Sequence, residues 1–241
     1  MTTLLIARRE LSAWIRSPSG WFIAAAILLI DGLLFNAFAV GSTAKLSTKV
    51  LEDFFYFTAG TTMVAAILLS MRLIAEERQA GTLALLMTSP ASSRDIITGK
   101  FLSALVVLSA LTLATLYMPA LILLRGKISW GHVATGYMGL VLLGSATLAI
   151  GTLGSTLGRN QLVAGVLSSA IVIALLLGWI LARVTDSPAK EVLKYLALFD
   201  AHFRHFQRGL FRASDVVFFL SLTGLSLSAA SKALNRERWG G

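Results

Sequence analysis

Residues 75–90, AEERQAGTLALLMTSP, combine residue types and spacings that are suited to binding a partner. Two adjacent carboxylates precede a Gly-Thr step and a short apolar stretch, and the flanking segments are long and apolar. An exposed apolar element framed by charges is typical of a docking site, although a tight, hydrated hairpin would have the same composition. The candidate docking residues are Glu76, Glu77, Gly81, Thr82, Leu83, Leu86, Met87 and Pro90.

The local signals in this segment predict a short helix between two breaks. Gly81 permits a turn, and the apolar residues after it fall on one side of a short helical piece. Pro90 disfavours continuation of that piece. Ser92 and Asp95 resemble a capping box, which starts a new helix that runs through Lys100.

The chain has no recognisable nucleotide site. A P-loop needs an upstream Gly and a Ser or Thr after its Gly-Lys pair, and neither Gly99-Lys100 nor Gly126-Lys127 has them. No Gly-x-Ser-x-Gly elbow or His-Glu-x-x-His helix occurs either. Because there is no cysteine, disulfides, iron–sulfur clusters and thiolate zinc sites are excluded within the chain. We therefore expect no catalytic residue and no cofactor in this chain.

A possible metal site lies near residue 200. Asp200, His202 and His205 have a spacing that could bring metal ligands together on a helical turn. The alternative is an interfacial loop in which histidine serves as an amphipathic residue, and we favour it. His132 lies in a different loop and adds little to a metal site.

Two polar residues interrupt the first apolar run. Asp31 and Asn36 both lie inside it, where ionisable and polar groups are costly. Asp31 is expected to face protein or water, either in a structural hydrogen bond or as part of a transport pathway. No second carboxylate within the apolar runs makes a convincing proton relay with it.

Composition indicates a membrane protein. Of the 241 residues, 56% are hydrophobic and 14% are charged, whereas soluble domains have about 45–50% and about 25%. The net charge of +9 favours basic loops against anionic lipids over binding of nucleic acid. The chain is expected to form a single membrane domain, residues 1–241.

Six apolar runs are long enough to cross a membrane as helices, which need roughly 20 residues. The first is too long for a cleaved signal peptide and is expected to be retained. The predicted spans are residues 20–40, 56–75, 101–124, 133–157, 162–183 and 214–233. The fold prediction is therefore an all-α membrane protein whose two termini lie on the same side.

Charge distribution favours a cytoplasmic location for both termini. Eleven Lys and Arg residues lie on the side of the termini and ten on the other. Six of those ten lie in or next to the loop 184–213, and without that loop the count is eleven to four. Because charges near the span ends have the most weight, we predict cytoplasmic termini and a location in the inner, cytoplasmic membrane.

Interfacial helices are predicted at two places. Before the first span, Leu4, Leu11 and Ile15 share one helical face, and basic residues occupy another. The alternative there is a merely basic flank; the polar residues concerned are Arg8, Arg9, Glu10 and Arg16. The loop 184–213 has aromatic residues at helical spacing and fits short interfacial helices between the fifth and sixth spans.

Three stretches resemble the ABC-2-type permeases, the membrane subunits of one class of ATP-binding-cassette transporters. They are LIAEERQAGTLALLMTSPASSRDIITGKFLSAL, ARRELSAWIRSPSGW and HFRHFQRGLFRASDVVFFLSLTGLSLSAASKALNRERW. The first matches the family pattern at Glu76, Glu77, Gly81, Thr82, Leu85, Leu86, Pro90, Gly99 and Lys100. The chain is most similar to the gliding-motility and copper-maturation (nitrous-oxide reductase) subgroup.

This resemblance implies a mechanism and a set of partners. Residues 75–90 would form a coupling helix in a cleft of a separate cytoplasmic ATPase, which binds ATP and Mg. Two ATPase subunits would act on a dimer of identical or related permeases, and an extracytoplasmic accessory protein and membrane lipids are further expected partners. The alternative is an ion-coupled or lipid-modifying membrane protein without an ATPase. The transported substrate does not follow from the fold.

Overall fold

The computed structural model describes residues 2–40, 46–123, 127–186 and 189–239. These ranges contain helices and no strand, which confirms the all-α prediction. The α-helices are α1 Thr2–Arg16, α2 Pro18–Leu34, α3 Ser47–Ser70, α4 Ala75–Gln79, α5 Leu83–Met87, α6 Ser93–Ala114, α7 Tyr117–Leu123, α8 Trp130–Leu157, α9 Gln161–Leu176, α10 Gly178–Val184, α11 Ala189–Leu196, α12 Arg204–Gln207 and α13 Ala213–Trp239. Two π-helical segments, Phe35–Val40 and Leu198–Phe203, extend α2 and precede α12.

Five helical segments in the described ranges are long and apolar enough to cross a membrane. They are Pro18–Val40, Ser47–Gln79, Ser93–Ile122, Trp130–Leu157 and Ala213–Arg238. Helices α9 and α10 form a sixth crossing if they are counted together, although they are bent by 52°. The chain is therefore a multi-pass membrane protein.

The second crossing begins earlier than the sequence predicted. Helix α3 starts at Ser47, whereas the predicted span starts at residue 56. The first turns of α3 contain Lys49, Glu52 and Asp53, and these charged residues interrupt the apolar run that would have indicated a crossing. The same turns bury Leu51 completely, so this part of α3 packs against the protein.

The crossings alternate in direction and define two ends of the helix bundle. At the α4–α5 end lie both ends of the described chain: Thr3 Oγ1 donates to Asp95 Oδ1 over 2.6 Å, and Arg238 donates to the carbonyl oxygen of Ala91. At the opposite, α11–α12 end, His132 Nε2 lies 2.8 Å from the carbonyl oxygen of Gln207. Both ends of the described chain therefore lie at the α4–α5 end, which agrees with six crossings if α9 and α10 together form one.

Helix α8 forms the centre of the bundle and packs against α3, α6, α9 and α13. Its glycines let neighbouring side chains approach the backbone closely. A Cβ added at Gly136 would lie 2.1 Å from the Phe55 ring, and one added at Gly151 would lie 1.8 Å from Ser70 Oγ. Close packing of α3 on α8 therefore depends on residues without a side chain.

Gly136→Ala should destabilise the protein by about 2 kcal/mol, because the fully buried Phe55 ring has no free space into which to move. We expect a lower melting temperature in detergent. Gly224→Ala is the matched control, since nothing lies within 4 Å of a Cβ added at this other helical glycine. That variant should be neutral or slightly stabilised. An equal loss in both variants would contradict the packing explanation.

Candidate functional site

The candidate docking segment begins where helix α3 bends into α4. The hydroxyl of Ser155, on the central helix α8, accepts hydrogen bonds of 3.0 Å from the backbone N–H groups of both Ile74 and Ala75. The same hydroxyl donates to the carbonyl oxygen of Met71 over 3.1 Å. Ser155 and Ile74 are fully buried, so the bend is bound directly to the core of the bundle.

The chain turns after α4 and restarts as α5. Gly81 has a φ of 73°, in the left-handed region that favours glycine, as the sequence predicted. The Thr82 hydroxyl donates to the carbonyl oxygen of Glu77 over 3.3 Å, which holds the turn against α4. After Pro90, Ser92 Oγ accepts from the backbone N–H of Asp95 at 3.1 Å, which confirms the predicted cap of α6.

The apolar side of α5 faces the protein. Leu83 is buried in a cluster that includes Ile74, Ile97 and Leu234. Leu86 and Met87 pack against the same cluster, so the three apolar residues do share one side, and it is the inner side. The exposed apolar side chain of α5 is Leu85, which is 74% exposed.

Glu76 points to the surface and binds Arg72. The Arg72 guanidinium donates to both carboxylate oxygens of Glu76 over 3.0 Å, and its third nitrogen donates to Ser19 Oγ. The guanidinium also lies 5.7 Å from the ring centroid of Trp14. The carboxylate of Glu76 therefore stays near the surface but is oriented by Arg72, which lies just after α3 and is itself bound to Ser19 of α2.

Glu77 takes part in a buried ion-pair network instead. The ammonium of Lys100, whose side chain is 3% exposed, donates to Glu77 Oε1 at 2.7 Å and to Glu10 Oε1 at 2.9 Å. Lys100 thus joins the docking segment to helix α1. The other charged residues singled out on α1, Arg8, Arg9 and Arg16, are exposed.

Arg78 binds the docking segment to the end of helix α8. Its guanidinium donates to the carbonyl oxygens of Gly158 and Thr156, the latter over 2.9 Å. It also forms an ion pair of 2.6 Å with Glu237 on α13. These bonds use the carbonyl groups at a helix end, which lack partners inside their own helix.

Arg238 holds the other side of the segment, around Pro90. Its guanidinium donates to the carbonyl oxygens of Ser89 and Ala91, both over 2.8 Å. Adjacent residues of α13, Glu237 and Arg238, therefore hold both halves of the docking segment. Sequence analysis missed both, because they lie far from the segment along the chain. In addition, Arg238 binds backbone carbonyl groups, which every residue has.

The polar residues of the first crossing occupy different environments. Asp31 is 5% exposed, and its Oδ1 accepts a 2.5 Å hydrogen bond from the hydroxyl of Thr61 on α3. This bond fits the structural interpretation of Asp31. Asn36 lies in the π-helical segment and is exposed.

The residues considered for a metal site separate in the structure. Asp200 lies 3.6 Å from Arg204, whereas His202 Nδ1 and His205 Nδ1 lie 2.8 and 2.9 Å from the two carboxylate oxygens of Asp215. Within the described residues, no group of three or more His, Cys, Asp or Glu is arranged to hold a metal ion. Asp215 was missed because it lies on α13, across a loop from the histidines.

The family profile described as "ABC-2 family transporter protein" matches residues 4–201 of this chain. The chain belongs to the ABC-2 transporter family. A comparison with curated proteins gives no match. ABC-2 permeases are normally non-catalytic membrane subunits that work with an ATPase subunit, which is consistent with a chain made of membrane-crossing helices. The matched region contains the whole docking segment and ends before α13 begins.

Proposed function

We propose that this ABC-2 protein is a permease subunit that couples ATP hydrolysis by a separate cytoplasmic ATPase to export or to force transmission across the membrane. It works as a dimer of permeases with two ATPase subunits, which bind the ATP and Mg. Resemblance in sequence favours the gliding-motility and copper-maturation subgroup. An extracytoplasmic accessory protein is compatible with the loop at the α11–α12 end.

One observation carries the proposal: the docking segment is firmly held from inside yet presents an apolar residue outside. Leu83, Lys100 and Ser155 tie the segment to the bundle, while Leu85 is 74% exposed at the same end. A force on such a segment is passed to the helices that hold it rather than absorbed by bending. This is what a coupling element between a separate ATPase and the membrane helices requires.

Both ends of the described chain lie beside the docking segment, so the two ends and the segment share one side of the membrane. We assign that side to the cytoplasm. Helix α1 exposes Leu4, Leu5 and Ile15 together with its arginines, which suits a helix lying in the inner leaflet interface of the cytoplasmic membrane. The eleven basic residues counted on this side of the sequence agree with that orientation.

Leu85→Asp should reduce the ATP-hydrolysing activity that co-purifies with the tagged permease by about tenfold, because a carboxylate replaces the apolar contact at the docking surface. Leu210→Asp is the matched control, since Leu210 is a 51% exposed leucine at the opposite end. Equal retention of ATPase activity by both variants and the unchanged protein would contradict the proposal. Glu77 is unsuitable for this test, because its substitution would disturb the Lys100 network.

A further inference from the structure

A large apolar groove runs between α2, α3 and the bent pair α9–α10. Its volume is about 620 Å³, within the range of roughly 300–1,000 Å³ that is typical of small-molecule sites. Most of its lining is aliphatic or aromatic, including Ile30, Met63 and Leu176, and Gly60 forms part of its wall. The groove is thus shaped for an apolar chain.

A smaller polar cavity of about 210 Å³ adjoins the groove at the α11–α12 end. The two cavities share three lining residues, Tyr56, Phe199 and Asp200. They therefore lie side by side, an apolar groove next to a polar cavity. This division matches the two parts of an amphiphile.

Within the described residues, one cation of the polar cavity is free to bind an anionic group. Lys49, Arg204 and Arg208 line the cavity, together with two acids, Glu52 and Asp200. Lys49 is paired with Glu52 at 3.4 Å and with Asp53 at 3.2 Å, and Arg204 lies 3.6 Å from Asp200. The Arg208 guanidinium makes no hydrogen bond or ion pair within the described part of the chain, so it is available to a ligand.

Aromatic residues near the two cavities indicate that this part of the protein lies at the level of lipid head groups. Tyr56 is 51% exposed at this level, and Trp179 stacks with the guanidinium of Arg183 at 4.7 Å. Tyrosine and tryptophan with a nearby arginine are typical of the membrane–water interface. A bound amphiphile would therefore have its chain at membrane depth and its head group in the polar cavity.

We propose that this site binds an anionic lipid from the leaflet at the α11–α12 end, with an acyl chain in the groove and the acidic head group at Arg208. The site requires no ATPase, so it goes beyond the proposed function and can be tested without it. Binding depends on both cavities: the groove provides room for the chain, and Arg208 selects the charge of the head group.

The charge preference is tested by native mass spectrometry of the purified protein with dioleoyl phosphatidylglycerol and dioleoyl phosphatidylcholine. We expect the anionic lipid to bind preferentially. Arg208→Glu should weaken phosphatidylglycerol binding by about tenfold and leave phosphatidylcholine binding unchanged. Equal binding of the two lipids by the unchanged protein would overturn the proposal.

The location is tested by filling the groove. Gly60→Phe introduces a ring into the wall of the groove, at a position where nothing lies within 4 Å of an added Cβ. Gly224→Phe is the matched control, since that helical glycine is equally unobstructed and does not line the groove. Only Gly60→Phe should abolish retention of phosphatidylglycerol. Unchanged retention of phosphatidylglycerol by Gly60→Phe would overturn the proposal. A shift of Gly60→Phe from dimer to monomer without loss of lipid would also overturn it, because the groove would then bind a second copy of the chain.

Discussion

Lys100→Met should lower the free energy of unfolding by about 3–5 kcal/mol, a large fraction of the stability of a typical protein. The Lys100 side chain is 3% exposed and binds two carboxylates, Glu10 and Glu77, whose side chains are each 21% exposed. Removing the ammonium leaves these two negative charges close together and poorly hydrated. Unfolding of the purified protein by titration with SDS measures the loss.

The control for this substitution is Lys49→Met. Lys49 also pairs with two carboxylates, Glu52 and Asp53, but its side chain is 57% exposed. The exposed network should contribute less than about 1 kcal/mol. Adding Glu10→Gln and Glu77→Gln to Lys100→Met should recover much of the stability, because no buried charge then lacks a partner. A similar loss for the two lysines would show that burial is not the cause.

Ser155→Ala should cost about 3 kcal/mol and loosen the bend between α3 and α4. The substitution removes the hydroxyl that accepts hydrogen bonds from two buried N–H groups, those of Ile74 and Ala75, and an unsatisfied buried donor costs roughly 1–3 kcal/mol. We expect faster amide hydrogen exchange in residues 71–79 and a lower melting temperature.

Thr152→Val is the matched control for Ser155→Ala. Thr152 is also fully buried on α8, but its hydroxyl donates to the carbonyl oxygen of Leu148 in its own helix over 2.8 Å. Removing that hydroxyl leaves no backbone N–H without a partner, so the cost should be less than about 1 kcal/mol. Rapid exchange confined to the Ser155 variant supports the capping role. The same exchange pattern in both variants would contradict it.

The sequence predicted the helices well where apolar residues run without interruption. The first crossing was placed at 20–40 and is observed as Pro18–Val40. The prediction missed the start of the second crossing at Ser47, because Lys49, Glu52 and Asp53 interrupt the apolar pattern although the helix continues through them. The apolar pattern also gave no indication of the 52° bend between α9 and α10, because no proline marks the break.

The candidate site was predictable in its local chemistry but not in its contacts. Gly81 and the Ser92 cap follow from rules that involve neighbouring residues only. Which side of α5 packs inward could not be predicted, because a helix of five residues is too short for a periodic pattern to distinguish its faces. The ion pair of Arg78 with Glu237 joins residues far apart in sequence, and no local rule connects them.

Helix α13 is long and is bound to other parts of the protein near both of its ends. Its 27 residues correspond to about 40 Å. Near its start, Asp215 binds two histidines of the α11–α12 end, and near its finish Glu237 and Arg238 hold the docking segment. If the helix moves as a rigid rod, a tilt of about 5° displaces one end by about 3.5 Å relative to the other, given its length of about 40 Å. A small tilt of α13 at the docking segment would thus move its other end, on the far side of the membrane, by about the size of a side chain.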